Sequence, residues 1–337
     1  MKKYCVYGIG NALVDIEVEV RPDFFSLLGI QKGVMTLIDD KRQKEILATL
    51  NGVPLKRASG GSAANTLLTI SQFGGSCFYS CKVADDEWGN FFHDDLIRGG
   101  VDTNGAQRRQ KGETGRCLVM VTPDADRTMN TFLGISEQFS ANELVEEAIR
   151  NSEYLYIEGY LLAQEHGRVA VQEAQQLADK YSVKKVISFS DPFVIQLFHQ
   201  ELEAVIDRGI DFVFCNEEEA KSYACTRDLN LACQKLEEIS KCFVVTRGSQ
   251  GSLLYDGERY HKVEAQSVPA VDTTGAGDIY AGSFLYGITH GMSFPAAGRL
   301  ASMAAAAVVS RHGPRLAQSE AVALLKWPLR ESVDLSV

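Results

Sequence analysis

The run Asp272-Thr273-Thr274-Gly275-Ala276-Gly277-Asp278 leads straight into Ile279-Tyr280-Ala281-Gly282-Ser283-Phe284. Two glycines with small neighbours let backbone approach a ligand closely. A helix start at this point offers unpaired amides and the positive end of the helix dipole, which together suit phosphate oxygens. Asp278 would stand in the first turn, beside that anion site. A carboxylate so placed can take the proton of a hydroxyl whose oxygen attacks phosphorus. Aspartate also caps helices, and position alone leaves that second role open; the seven-residue run favours the first.

Four further segments carry polar groups at turns. Gly60-Gly61-Ser62-Ala63-Ala64-Asn65 follows Arg57-Ala58-Ser59 and opens a helix. Its paired glycines would bring backbone close to a polyhydroxy substrate, with Asn65 hydrogen-bonding it; a loop-to-helix turn with Asn65 in solvent is the plainer reading. Gly8-Ile9-Gly10-Asn11-Ala12-Leu13-Val14-Asp15 follows a first strand but lacks the third glycine of a dinucleotide fingerprint. Asn11 and Asp15 would instead hold ligand hydroxyls, since sites in parallel sheets gather at strand C-terminal ends. In Asn216-Glu217-Glu218-Glu219 the helix dipole explains Glu217 and Glu218. Asn216 and Glu219 would also suit magnesium through water, because that ion keeps much of its hydration shell. Thr246-Arg247-Gly248-Ser249-Gln250-Gly251 lies between two strands, as a β-turn or as a seat for nucleotide phosphate or ribose. Arg127 would reach over a transferring phosphoryl group or sit as a solvated strand charge. No Gly-x-x-x-x-Gly-Lys-Ser/Thr run exists, which excludes a P-loop.

The elements around these segments alternate. Strands are predicted at Tyr4–Gly8, Cys77–Lys82, Tyr154–Ile157, Lys185–Phe189, Asp211–Cys215 and Cys242–Thr246. Helices are predicted at 62–73, 87–98, 168–181, from Glu217, and at 275–289 and 295–311. Such alternation implies parallel crossover units around a central sheet. Two stretches break the rhythm. Ile16–Val20 and Val34–Asp39 read as one extended pair. Cys117–Thr122 and Arg127–Leu133 read as another, joined by the turn-forming Pro123-Asp124-Ala125-Asp126. These four would make a small separate sheet, a natural cover for a site.

Composition narrows the classes further. In 337 residues, 34 Lys and Arg stand against 44 Asp and Glu, for a net charge of −10. A broad basic face for a nucleic acid polymer is therefore not expected. The longest apolar run, Leu300–Val309, is too short to span a bilayer, so no membrane association is expected. The first residues lack the apolar core and cleavage site of a signal peptide, so a cytoplasmic setting is expected. The eight cysteines form no Cys-x-x-Cys and no zinc spacing with the six histidines; buried reduced thiols are expected.

Taken in order, the Gly-Gly-x-x-x-Asn, Asn-x-x-Glu, Thr-Arg-Gly-x-x-Gly and Asp-Thr-x-Gly-Ala-Gly-Asp segments resemble the ribokinase-like (PfkB) family of carbohydrate and nucleoside kinases, over essentially the whole chain. The resemblance implies an α/β fold with a central, mostly parallel sheet flanked by helices. It implies one kinase domain over 1–337, with a small β-sheet lid from about 16–39 and 112–134. It makes Asp278 the catalytic base, and makes Gly275, Ala276, Gly277 and the Asp278 backbone the anion hole. Asp15, Gly60, Gly61 and Asn65 would hold substrate hydroxyls. Asn216 and Glu219 would organise Mg2+ and the ATP phosphates, and Thr246, Gly248 and Gly251 would seat the nucleotide. A monovalent cation such as K+ near Asp272 is common in the family. Ser190-Asp191-Pro192-Phe193 is similar to the adenosine-kinase branch, which implies ATP-dependent transfer to the 5′-hydroxyl of a nucleoside. Phe132, Leu133, Tyr160 and Leu161 would enclose a flat base or serve as ordinary core. A sugar kinase and a non-catalytic sensor are the alternatives. An exposed edge of the lid sheet would pair two chains or stay free in a monomer.

Overall fold

The computed structural model describes residues 2–50, 52–53, 55–105, 109–124, 127–311 and 313–326, without the side chain of Arg127. Its strands in chain order are β1 Tyr4–Ile9, β2 Leu13–Glu19, β3 Met35–Leu37, β4 Lys56–Gly60, β5 Cys77–Ser80, β6 Val101–Thr103 and β7 Thr114–Val121. They continue as β8 Arg127–Gly134, β9 Ser152–Glu158, β10 Lys184–Ser188, β11 Ile210–Asn216, β12 Ser240–Thr246, β13 Ser252–Tyr255 and β14 Tyr260–Val263. The helices are α1 Asp23–Leu28, α2 Asp40–Thr49, α3 Ser62–Gln72, α4 Glu87–Arg98, α5 Glu146–Arg150, α6 Glu165–Lys180 and α7 Pro192–Leu197. After them come α8 His199–Ile206, α9 Glu217–Tyr223, α10 Leu229–Ile239, α11 Ala276–Thr289, α12 Phe294–Val309 and α13 Gln318–Leu325.

Nine strands form the large sheet, in the order β14-β13-β12-β11-β10-β9-β1-β5-β6. Seven of them run parallel, and β13 and β14 close one edge antiparallel. Side chains alternate between faces along a strand, so each strand feeds two cores. Val6, Tyr156, Val186, Phe212 and Val244 pack against α3, α11 and α12 on one face. Tyr7, Leu155, Ile157, Ile187, Val213 and Val245 pack against α6, α9 and α10 on the other. Both faces are covered, as a parallel sheet requires. α11 is buried continuously from Ile279 to Gly287, which fits an inner helix between the sheet, α3 and α12.

Five strands form the small sheet, in the order β3-β8-β7-β2-β4. Its register places Asp15 beside Ala58 and Cys117, and Cys117 beside Thr131. Ile16, Val18, Leu118 and Met120 point the other way and pack under α1 and α2 with Phe25 and Ile46. The expected pair of β2 and β3 does not form: β7 and β8 stand between them. The fifth strand, β4, was absent from the expected set because Lys56-Arg57-Ala58-Ser59-Gly60 has no alternating apolar pattern; main-chain pairing with β2 holds it. The turn residues Ala125 and Asp126 lie outside the described residues. Among the described residues all eight cysteines are free, and five of them are buried. No helix among the described residues is long and apolar enough to cross a membrane.

Candidate active site

β1, β9, β11 and β12 run parallel, so their C-terminal ends share one edge of the large sheet. Asn11, Glu158, Asn216 and Thr246 lie at those ends. α3 and α11 both begin at this edge, and their contact sets the centre of the site.

Asp278 is the third residue of α11, after the N-cap Gly275. Gly275 takes φ 73°, and a Cβ there would meet the Pro314 side chain at 2.9 Å, so a side chain would be strained twice over. Asp272, buried, fixes this loop: one oxygen accepts from the Thr274 amide and the other from the Gly313 amide, both at 2.8 Å. The Ala276 amide bonds to Thr273 and that of Ile279 to Gly275. The amides of Gly277 and Asp278 meet no acceptor among the described residues, and a Cβ on Gly277 would find nothing within 4 Å. Two unpaired donors thus stand at the positive end of a 14-residue helix, the make-up of an anion seat.

Asp278 is half-buried. Ser62 Oγ donates to its Oδ1 at 2.6 Å, and Asn65 Nδ2 donates to its Oδ2 at 3.2 Å. Desolvation raises its pKa to about 6, against the lowering effect of those two bonds. A base that is ionised at neutrality yet still proton-hungry suits proton removal from an alcohol. Asn65 is buried rather than solvent-facing, and its Oδ1 has no hydrogen-bond partner among the described residues. A buried acceptor left open next to a carboxylate calls for an incoming donor such as a hydroxyl.

Close packing brings these groups together. A Cβ on Gly282, one turn below Asp278, would lie 2.4 Å from the Thr66 carbonyl oxygen and 2.7 Å from Thr69 Cβ. Thr66 and Thr69 lie one turn below Ser62 and Asn65. Glycine at 282 therefore sets the α3–α11 spacing that lets both side chains reach Asp278. Gly282→Ala should cost about 1–3 kcal/mol of stability through overpacking. It should also lower turnover, as checked by urea unfolding beside kcat.

At the mouth of the first crossover the two glycines have distinct reasons. A Cβ on Gly60 would overlap the Asp15 carboxylate at 2.2 Å, and one on Gly61, at φ 97°, would strike the Asn11 carbonyl oxygen at 2.2 Å. Asp15, Gly60, Gly61, Asn65 and Asp278 therefore belong to one place. A cleft of about 270 Å³ opens beside it, between Asp15, Glu17 and Arg57 of the small sheet and Asp272, Thr274 and Arg315 opposite.

The second cluster lies along the same edge. Asn216 and Thr246 are paired neighbours on β11 and β12. Asn216 caps α9, accepting from the Glu219 amide at 2.8 Å. Glu219 is buried, and its two oxygens accept from the Asn216 amide (2.9 Å) and Nδ2 (2.6 Å). Desolvation raises its pKa to about 7, with Asp191 and Asp278 adding repulsion. With both oxygens engaged, Glu219 fits a metal through water rather than as a direct ligand. No cluster of three or more His, Cys, Asp or Glu suited to a metal ion exists among the described residues. Thr246 ends β12, Gly248 sits at φ 53° with open space around it, and a Cβ on Gly251 would strike the Val263 carbonyl oxygen at 2.0 Å. Arg247 Nε donates to Glu217 at 2.7 Å, which ties this turn to the start of α9.

Sequence reading missed two residues. Ser62 lies within Gly60–Asn65, but nothing local in that segment ties it to Asp278. Glu158 ends β9, fully buried, and a lone carboxylate at the C-terminal end of a parallel strand was the available signal. Of the four apolar candidates for enclosing a base, Phe132 is placed elsewhere: it pairs with Arg116 on the α2 face, with the guanidinium 5.3 Å from its ring. Leu161 is buried in the core of the large layer. Leu133 shares the Asp15 face by register, and Tyr160 follows Glu158 with its hydroxyl directed to the Ser190 carbonyl at 3.4 Å. Arg127 pairs with Val121 at the far end of the Asp15 face; its side chain lies outside the described residues.

Relatives match this architecture across their length. A structure titled adenosine kinase from Sinorhizobium meliloti is 33% identical, with a TM-score of 0.89 over 96% of this chain and 99% of that one. A probable sugar kinase from Rhizobium etli CFN 42 is 31% identical, with a TM-score of 0.90 over the same shares. The curated adenosine kinase of Schizophyllum commune is 26% identical over 97% of this chain and 98% of its own. Residues 37–321 match the pfkB carbohydrate kinases as a family, and that span holds the Gly60-Gly61 pair ahead of α3, the Asn216 cap and the start of α11: the chain belongs to the pfkB family of carbohydrate kinases.

Proposed function

We propose that the chain transfers the γ-phosphoryl group of ATP to the 5′-hydroxyl of a nucleoside, adenosine foremost, under a lid formed by the small sheet. The observation that carries the reading is Asp278, a carboxylate of raised pKa in the first turn of a helix whose Gly277 and Asp278 amides have no acceptor among the described residues. Asp278 removes the proton of the attacking hydroxyl, and the Gly277 and Asp278 amides take the charge of the transferring group. Asp15, the Gly60-Gly61 backbone and the open Asn65 Oδ1 hold the ribose, with Asn11 behind them. Asn216, Thr246 and the Gly248–Gly251 turn hold the nucleotide. Mg2+ with the ATP phosphates would neutralise charge on the transferring group, seated through water near Asn216 and Glu219.

The acceptor's base is argued from the small sheet. The face that carries Asp15 also carries Leu13, Cys117, Val119, Val121 and Met129 as an apolar cluster. Met35 and Leu37 continue that face on the edge strand, and Leu37 is largely exposed. Cys117, Val119 and Val121 are themselves buried, while Leu13, Met129, Met35 and Leu37 keep exposed surface on that face; a flat heterocycle would cover these four, and a free sugar would leave them wet. The likeness to adenosine kinases points the same way. A sugar acceptor is the second reading, and the likeness to the Rhizobium etli protein favours it.

The test is kcat/KM with ATP and magnesium for adenosine, inosine, guanosine, cytidine, ribose and fructose. Adenosine should exceed ribose and fructose by at least about a hundredfold, the value of a buried apolar contact of ring size. Turnover confined to the sugars would keep the phosphoryl-transfer chemistry and overturn the nucleoside.

A further inference from the structure

Glu158 lies where the chain passes between the large layer and the small sheet. Three such passages meet there: Gly10–Ala12 between β1 and β2, Gly61 with the first residues of α3 after β4, and Ile135–Ser136 after β8. Glu158 Oε1 accepts from the Asn11 amide at 3.1 Å and from Asn11 Nδ2 at 3.2 Å. Its Oε2 accepts from the Ala63 amide at 2.8 Å. Asn11 Oδ1 in turn accepts from Ser136 Oγ at 3.3 Å and from Gln164 Nε2 at 2.9 Å, while the Ala12 amide donates to Ser136 Oγ at 2.9 Å. Glu158, Asn11 and Ser136 are all buried. A Cβ on Gly10 would lie 2.4 Å from Glu158 Oε2, so the first passage is moulded against the carboxylate.

We infer that Glu158 is a positioning residue: its ionised carboxylate binds two chain passages at once and holds the small sheet in register with Asp278. This rests on the reading of the small sheet as a lid over the acceptor. Both oxygens already hold protein donors, so Glu158 acts through Asn11 and Ala63. No Lys or Arg among the described residues bonds to it. Protonation would turn one oxygen into a donor facing N–H donors, and one tether would be lost. Burial raises its pKa to about 7, against the Asn11 and Ala63 bonds and with repulsion from Asp278. Other titratable groups facing it are Tyr79 of β5, Tyr156 of its own strand and Tyr160 just beyond; burial pushes all three up, so they stay neutral. Asn11, Ala63, Ser136 and Gln164 carry no titratable side chain.

Trp88 of α4 reports the sheet's position without any turnover. Its ring sits 4.2 Å from the Arg57 guanidinium of β4 and 5.7 Å from that of Arg116 of β7. The experiment follows Trp88 emission of the ligand-free protein from about pH 5.5 to 8.5, with Trp327 replaced by phenylalanine. A transition centred near pH 7 is expected. It should persist in Asp278→Asn and vanish in Glu158→Gln. In Asn11→Ala, which removes one donor to the carboxylate, the midpoint should move upward. Above pH 8, Glu158→Gln should raise the acceptor KM by about tenfold or more, with a smaller change in kcat. No transition in the parent protein, an unchanged transition in Glu158→Gln, or an unmoved midpoint in Asn11→Ala would each overturn the inference. None of these optical results depends on which acceptor is phosphorylated, so a failed nucleoside assignment would be told apart.

Discussion

Asp278→Asn should lower kcat by about a thousandfold, within the range for loss of a general base, and leave adenosine binding within a few-fold. The amide keeps the shape and still accepts from Ser62 Oγ, so the site stays assembled. What it loses is the ability to take a proton from the attacking oxygen. The pH dependence follows from the same burial. With the Asp278 pKa raised to about 6, wild-type kcat/KM should rise with pH through that region and level off above it. Stability should run the other way. A raised carboxyl pKa means that the native state holds the proton more tightly than the unfolded chain, so stability falls as pH climbs from the ordinary aspartate range to about 6. Asp278→Asn escapes this cost. It should be more stable than wild type at pH 7.5, and the advantage should fade below pH 4, as read by urea midpoints at both pH values. Retained turnover in the asparagine variant would remove Asp278 from the role of base.

Gly277→Asp should be as damaging, for a different reason. A Cβ at 277 meets nothing within 4 Å, so the substitution requires no repacking. An aspartate in the first turn of α11 even complements the helix dipole, by about 0.3–1 kcal/mol. Yet its carboxylate would fill the seat where phosphoryl oxygens approach the Gly277 and Asp278 amides, and would repel them. Turnover should fall by about a hundred- to a thousandfold, the value of one lost anion-hole donor. Its melting temperature should match or exceed that of wild type. Kinetics beside a thermal melt check this. Normal turnover in the aspartate variant would mean that the phosphoryl group passes elsewhere.

How much of this was legible in the sequence depends on the range of the interaction. The Gly275–Asp278 helix start and the Gly60-Gly61 turn are local, and glycines at positive φ announce themselves. Six inner strands of the large sheet were legible because they are buried, largely apolar runs, whereas the short β6 and the partly exposed β14 at its edges were not. β4 was not, because its residues are charged and only main-chain pairing to β2 fixes it. The order of the small sheet was also hidden, since β2 and β3 are close in sequence and two strands apart in space. Ser62 and Glu158 were missed for a related reason. Their partners lie 216 and 147 residues away along the chain, and no local pattern encodes such a meeting. Gly282 is the device behind one of them, and in the sequence it is merely a glycine inside a helix. Sequence leaves Phe132 and Leu133 with the same two alternatives, and the two-residue period of a strand separates them by sending neighbours to opposite faces.

The central claim is that a nucleoside 5′-hydroxyl receives the γ-phosphoryl group at Asp278. The most direct measurement is mass-spectrometric detection of AMP from adenosine, ATP and magnesium, with 5′-deoxyadenosine in a parallel reaction. The account predicts AMP from adenosine with wild-type protein and next to none with Asp278→Asn. It predicts no phosphorylated product from 5′-deoxyadenosine, which should instead compete with adenosine. Phosphorylated 5′-deoxyadenosine, or adenosine left untouched while ribose or fructose is phosphorylated, would contradict it.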